Sequence, residues 1–249
     1  MDNQLPFRLT AEEVYDRLLN VDKIKTVEGQ IRFYLGDVNI IVKQKDVVGN
    51  IIQEWLEGWL KKNNIAFDCN PNTQMPPDIF LNPDDHTTDL LEVKAFNRQA
   101  SPGFDIADFK AYAREIITAP YMLHTKYLIF GYKMSNDGVV TIHDLWLKNV
   151  WEICRAMEKW ALNVQYKNRV IHKIRPATWY SNNRKYPLFQ SLEHYLSAIE
   201  ETLFGYPDTH ELAAGWRKRV AEAYRNAYGI KLNIPRWEDI EEVYRPKIK

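Results

Sequence analysis

The sequence predicts an α/β protein, a central mixed β-sheet flanked by helices, followed by a C-terminal region of helices and a basic loop. Two observations carry this expectation. Through the first part of the chain, helical and strand-like stretches follow one another as helix, strand, strand, helix, strand, strand, helix. At Asn163 the composition then shifts to a basic, aromatic run followed by two amphipathic stretches. Residues 1–162 are therefore expected to form the core, and 163–249 a helical, basic-loop subdomain on that core.

AEEVYDRLL follows Thr10, a side-chain N-cap, and has acids in its first turn and apolar residues at Val14, Leu18 and Leu19. IRFYLGDVNIIVK reads as a hairpin turning at Gly36-Asp37. Asp46 opens VVGNIIQEWLEGWLKKNN, where Val48, Ile51, Ile52, Trp55, Leu56, Trp59 and Leu60 form an apolar helical stripe. Strands over 78–81 and 89–96 are joined by NPDDHTT, a turn-forming cluster. After NRQASPGF, DIADFKAYAREIIT reads as a helix stopped by Pro120. KYLIFGYKM and GVVTIHDLWL pair across the turn 135–138, and NVWEICRAMEKWAL reads as a further helix. FQSLEHYLSAIEETLF and ELAAGWRKRVAEAYRNAY each read as one amphipathic helix.

At 249 residues and 45% apolar content the chain has enough material for a sizeable core, which excludes a disordered or fibrous protein. Lys plus Arg and Asp plus Glu both number 33, so any preference for a polyanion must come from the distribution of charge. Cys69 and Cys154 are the only cysteines, which argues against a disulfide scaffold or a zinc site; both are expected to be buried. The histidines show no ligand-like spacing. No signal peptide or membrane span is apparent, and a cytoplasmic, prokaryotic location is expected.

The chemistry centres on MPPDIFLNPDDHTTDLLEVKAF. Residues two apart in a strand share a face, so Glu92 and Lys94 point one way while Val93 points the other, into the core. Asp78, just after two prolines, reaches the same cleft if the two strands are neighbours. Two carboxylates and the Val93 carbonyl would make an all-oxygen site of the kind Mg²⁺ prefers. Phosphodiester hydrolysis needs a cation to neutralise a nonbridging oxygen and a deprotonated water held in line, which a nearby ammonium helps to orient. The alternative is a pair of strands with solvated charges. Asp108-Phe109-Lys110, Pro83-Asp84 and Pro207-Asp208 repeat the spelling, but not on adjacent strands behind an acid-bearing helix.

The order of Gly49 and Glu54 on a helix, Pro77-Asp78, Glu92-Val93-Lys94 and then another helix resembles the PD-(D/E)xK nuclease superfamily. The resemblance implies a restriction-endonuclease-like core in which Asp78 and Glu92 bind Mg²⁺, with Mn²⁺ able to substitute. It also implies that Lys94 assists the attacking water and that a helix acid, Glu54 in preference to Glu57, supports a second metal or its waters. The products would be a 5′-phosphate and a 3′-hydroxyl. Within the superfamily, the length, PPD, EVK and IRPATW are similar to restriction endonucleases of the NgoBV and NlaIV type. That similarity implies a homodimer cutting double-stranded DNA at GGNNCC. A structure-specific repair or junction nuclease and a non-catalytic DNA-binding regulator are the alternatives.

Residues 164–187 hold six Lys or Arg and no Asp or Glu. Lys173, Arg175, Tyr180, Asn182, Asn183, Arg184 and Lys185 are the candidate DNA contacts there: the cations suit phosphates, and the amides and Arg184 suit base edges. A solvated surface loop is the competing reading. Asn97, Arg98 and Gln99, directly after the candidate catalytic strand, are a second set of expected DNA contacts.

Overall fold

The computed structural model describes residues 5–72 and 74–246. Helix α1 (Ala11–Asp16) starts where Thr10 and Glu13 close a reciprocal capping box, and it continues as a π-helical turn over Arg17–Val21. Strands β1 (Glu28–Gln30), β2 (Arg32–Leu35) and β3 (Val38–Ile41) follow, then α2 (Val48–Lys62). Next come β4 (Asp68–Cys69), β5 (Ile79–Phe80), β6 (Leu90–Asn97), β7 (Ala107–Asp108) and α3 (Phe109–Thr118). Strands β8 (Lys126–Met134), β9 (Val139–Asn149), β10 (Val164–Lys167) and β11 (Val170–Ile174) lead to α4 (Leu192–Gly205). The chain closes with α5 (His210–Ala213), α6 (Trp216–Tyr228) and α7 (Trp237–Ile240).

These elements form two compact units, one of residues 1–71, 77–104 and 126–148, the other of 72–76, 105–125 and 149–249. The boundary expected at 162 thus falls inside the second unit. The first unit holds a six-stranded mixed sheet in the order β1-β9-β8-β6-β5-β4. Strand β6 runs parallel to β8 from Leu91↔Lys126 to Asn97↔Tyr132 and antiparallel to β5. With neighbours on both sides and both faces covered, β6 is nearly all buried, as expected for a strand in the parallel part of a sheet. The buried stripe of α2, Val48, Ile52, Leu56, Trp59 and Leu60, shares one core with Leu91, Val93, Leu128 and Phe130. Ile51 and Trp55, expected in that stripe, remain partly exposed. The hairpin of β2 and β3 turns at Gly36 with φ of 56°, as the Gly-Asp signal predicts.

The second unit carries a three-stranded sheet in the order β10-β11-β7 and the helices α3 to α7. Buried Trp216 donates its indole N–H to the Ala113 carbonyl at 2.7 Å, tying α6 to α3.

Three local expectations are corrected. NVWEICRAMEKWAL forms only a 3₁₀ turn, Val150–Ile153, before Cys154 becomes extended. Long-range backbone partners displace the helix. Ala177 donates to the Ile153 carbonyl at 2.7 Å, Phe189 to Cys154 at 3.2 Å, and Asn163 to Arg155 at 2.8 Å. ELAAGWRKRVAEAYRNAY breaks into α5 and α6 at Gly215, which sits in the left-handed region. Cys154 is buried as expected, but Cys69 is exposed. Among the described residues, no helix is long and apolar enough to cross a membrane.

Candidate active site

Two prolines deliver the chain to Asp78 at the start of the short strand β5, which pairs with β6 through Ile79↔Leu91 and Phe80↔Leu90. The intervening Asp84 and Asp85 belong to the turn. Asp84 pairs with Arg8, and the Asp85 carboxylate accepts the Thr87 N–H and hydroxyl. Asp78 donates its backbone N–H to the Leu91 carbonyl at 3.1 Å, and its Oδ2 accepts the Val93 N–H at 2.8 Å. The aspartate is therefore fixed to the backbone of the strand that carries Glu92 and Lys94.

Strand alternation sends Leu91 and Val93 into the core beneath α2 and leaves Glu92 and Lys94 on the opposite face. Glu92 is only 3% exposed. Its Oε1 meets Lys94 Nζ at 2.5 Å, while its buried Oε2 has no hydrogen-bond partner. Burial pushes the Glu92 carboxyl up to about 7, with Lys94 opposing that rise and the charge of Asp78 adding to it. Asp78 is also raised, mainly by burial and further by Glu57, against Lys94 and the Val93 N–H. Two acids that resist being charged together, one with an oxygen lacking any partner, fit a divalent cation whose charge both would share. Asp78, Glu92 and the Val93 carbonyl are the groups placed to hold it. Among the described residues, no three His, Cys, Asp or Glu side chains converge as a metal cluster. A fuller coordination shell would therefore draw on waters and substrate oxygens, the arrangement Mg²⁺ favours.

The acid on α2 whose field reaches Asp78 is Glu57, while Glu54 is exposed. The sequence holds a signal for this that the preference for Glu54 overlooked. Gly49 lies close to β6, where a Cβ on it would stand 3.8 Å from the Ala95 carbonyl, and Gln53 and Glu57 follow Gly49 at helical i+4 spacing. Glu57 also hydrogen-bonds the Cys69 thiol, whose pKa is raised first by burial and then by that carboxylate.

The residues after β6 serve the fold more than the sequence suggested. Arg98 Nε donates to Asp144 Oδ2 at 2.5 Å, and its guanidinium lies 5.8 Å from the Phe96 ring centre and 5.5 Å from that of Trp146. Asn97 closes a turn by accepting the Gln99 N–H at 3.0 Å, and the exposed Gln99 meets Lys45 at 3.4 Å. In the second unit, the acid-free run 164–187 borrows acids from elsewhere in the chain. Arg175 pairs with Asp105, Lys173 with Asp108 at 3.9 Å, and Lys185 with Glu158 at 3.7 Å. Arg184 donates to the Trp179 carbonyl at 2.7 Å and to that of Ser181. Tyr180 is half-buried against Trp179, whereas Asn182 and Asn183 are exposed.

A helix-flanked mixed sheet that carries an aspartate and a Glu-x-Lys pair on adjacent strands defines the restriction-endonuclease-like α/β fold. A solved structure, that of NlaIV restriction endonuclease, superposes with a TM-score of 0.94 at 58% identity, covering 97% of this chain and 98% of that one. The chain belongs to the NgoBV restriction endonuclease family, whose model matches residues 8–244. Type II restriction enzyme NlaIV of Neisseria lactamica is 59% identical over 241 residues, 96% of this chain and 99% of the relative. Type II restriction enzyme NgoBV of Neisseria gonorrhoeae is 59% identical over 160 residues, 64% of this chain and 91% of the relative.

Proposed function

We propose that this type II restriction endonuclease hydrolyses phosphodiester bonds of double-stranded DNA at GGNNCC. In this reading it is a Mg²⁺-dependent homodimer in the cytoplasm of a prokaryote, with Asp78, Glu92 and Lys94 as its catalytic set. The observation that carries the site is the buried Glu92 Oε2, without a partner, beside Asp78 and Lys94. Mg²⁺, or Mn²⁺ in its place, would be held by Asp78, Glu92 and the Val93 carbonyl, and would supply positive charge to a phosphate oxygen and acidity to a bound water.

The chain's own residues account for the rest. The Val93 N–H fixes the Asp78 carboxylate, and the covered strand β6 holds Glu92 and Lys94 in register with it. The Lys94 ammonium, 21% exposed, is near enough to the cleft surface to orient a water and to stabilise the negative charge that water gains on losing its proton. Glu57 takes the supporting role that the sequence reading gave to Glu54. For DNA contact, the exposed Asn182, Asn183, Lys185 and Gln99 are favoured. Arg98, Arg175 and Arg184 act first as structural ties.

Lys94→Ala tests the assignment. It should bind duplex DNA as the parent does and leave it uncut in Mg²⁺, and unchanged cleavage by this variant would remove Lys94 from the mechanism. Digestion of a sequenced plasmid with the fragment ends read tests the sequence. Cuts confined to GGNNCC are expected, and discrete cuts at another site would refute that sequence while keeping the activity.

A further inference from the structure

The ribbon formed by β2 and β3 presents one wholly apolar face to solvent. Phe33 pairs with Ile40 and Leu35 with Val38, and cross-strand partners and residues two apart share a face. These four side chains therefore stand together, at 53%, 50%, 71% and 63% exposure respectively. A lone two-stranded ribbon is marginally stable in water, and a contiguous apolar patch of this kind marks a contact surface.

The base of the ribbon is firmly placed in the first unit. Ile31 packs on the core, and its carbonyl accepts the Val42 N–H at 2.9 Å. Gly138, at φ of 81°, sits so close to Ile41 and the Val42 carbonyl that any side chain there would collide with them. The ribbon therefore leaves the core from a fixed root.

We propose that the Phe33, Leu35, Val38 and Ile40 face is where two copies of this chain meet across a two-fold axis. The inference rests on the dimeric reading above and adds the surface. Three observations favour a second copy over another occupant. The face is self-complementary, uncharged at its centre and apolar throughout, so it offers nothing to a phosphate backbone. Charge at its ends fits an opposed pair: Arg32 stands at the root and Asp37 at the tip, so ribbons running in opposite directions bring Asp37 of each copy towards Arg32 of the other. Area also suffices. Strand β1, which precedes the ribbon directly, lines an apolar cleft of about 170 Å³ edged by the part-exposed Val27, Ile51 and Trp55. Together with the ribbon face, these side chains offer on the order of 800 Å² per copy, the amount a standard specific interface uses.

Sedimentation equilibrium of the full chain and its variants tests this. The parent should be a dimer. Leu35→Glu with Val38→Glu should raise the dissociation constant roughly a hundredfold or more, because each change occurs twice across a symmetric contact. Tyr34→Glu, on the opposite face of the ribbon, should leave the dimer intact and guards against general damage to the hairpin. A monomeric parent, a double variant with the parent's dissociation constant, or equal disruption by Tyr34→Glu would each overturn the inference. So would a double variant that stays dimeric but binds DNA more weakly, since the face would then be a DNA contact. Cleavage assays separate the two readings. A protein that cuts no DNA in Mg²⁺ or Mn²⁺, yet is split by the double substitution, loses its proposed function and keeps this interface.

Discussion

The strand pair around Asp78 and Glu92 and the basic run 164–187 both declare themselves by charge, and the structure treats those charges in opposite ways. In the strand pair, the fold buries a carboxylate, leaves one of its oxygens without a partner and sets a second acid beside it. In the basic run, Asp105, Asp108 and Glu158 come from other parts of the same unit to pair with Arg175, Lys173 and Lys185. Charge that the protein leaves uncompensated in a buried place points to a ligand. Charge compensated at the surface is first an account of how a loop is held.

The sharpest way to break this contrast lies at the uncompensated end. Lys94→Ala should slow cleavage by about 10²–10⁴-fold, the span of a general acid or base, with DNA binding retained in a gel-shift assay. A second effect concerns the metal-free protein. Unfolded Glu92 loses its proton near 4.5 and the folded residue near 7, so between those values the folded state holds the extra proton. Stability then falls as pH rises through that window, and the loss is complete above about 7. Glu92→Gln cannot ionise and should melt higher than the parent near pH 8, by the equivalent of roughly 3 kcal/mol, but little differently near pH 5. Calorimetry at the two pH values reads this directly, and equal melting shifts at both would show that Glu92 is not held protonated.

The compensated charges should behave as fold elements. Arg98→Ala removes the Asp144 ion pair and uncovers Phe96 and Trp146, so urea unfolding should register a loss of roughly 2 kcal/mol. Unchanged stability with weakened DNA binding would move Arg98 to the DNA. The smallest effect is expected at Lys185, whose ion pair with Glu158 is exposed on both sides. Lys185→Ala should change stability by no more than about 0.5 kcal/mol. If the run touches phosphate, the same change should lower the salt slope of DNA binding by about one.

What was legible in the sequence was local. The Thr10 cap, the α2 stripe, the turn between β8 and β9 and the division of β6 into core-facing and cleft-facing residues each depend on neighbours within a few positions. Asp78, Glu92 and Lys94 could be singled out for that reason, since strand alternation and the turn chemistry of Asp84 and Asp85 suffice. The stretch 149–162 misled because its apolar spacing suits a helix, while its backbone groups bond to residues 163, 177 and 189. Glu54 and Glu57 could be told apart only by asking which helix face lies on β6, a fact that Gly49 encodes faintly. The fate of the basic run was hidden because its acids lie elsewhere in sequence.

Strand β6 is hydrogen-bonded to strands on both sides and covered on both faces. Such a strand opens only with the whole domain, whereas an exposed ribbon such as β2 and β3 opens locally and often. Amide exchange at residues 91–97 should therefore be among the slowest in the chain. An enzyme built this way keeps its cutting geometry until it unfolds, and heat should abolish cleavage and native structure in a single step.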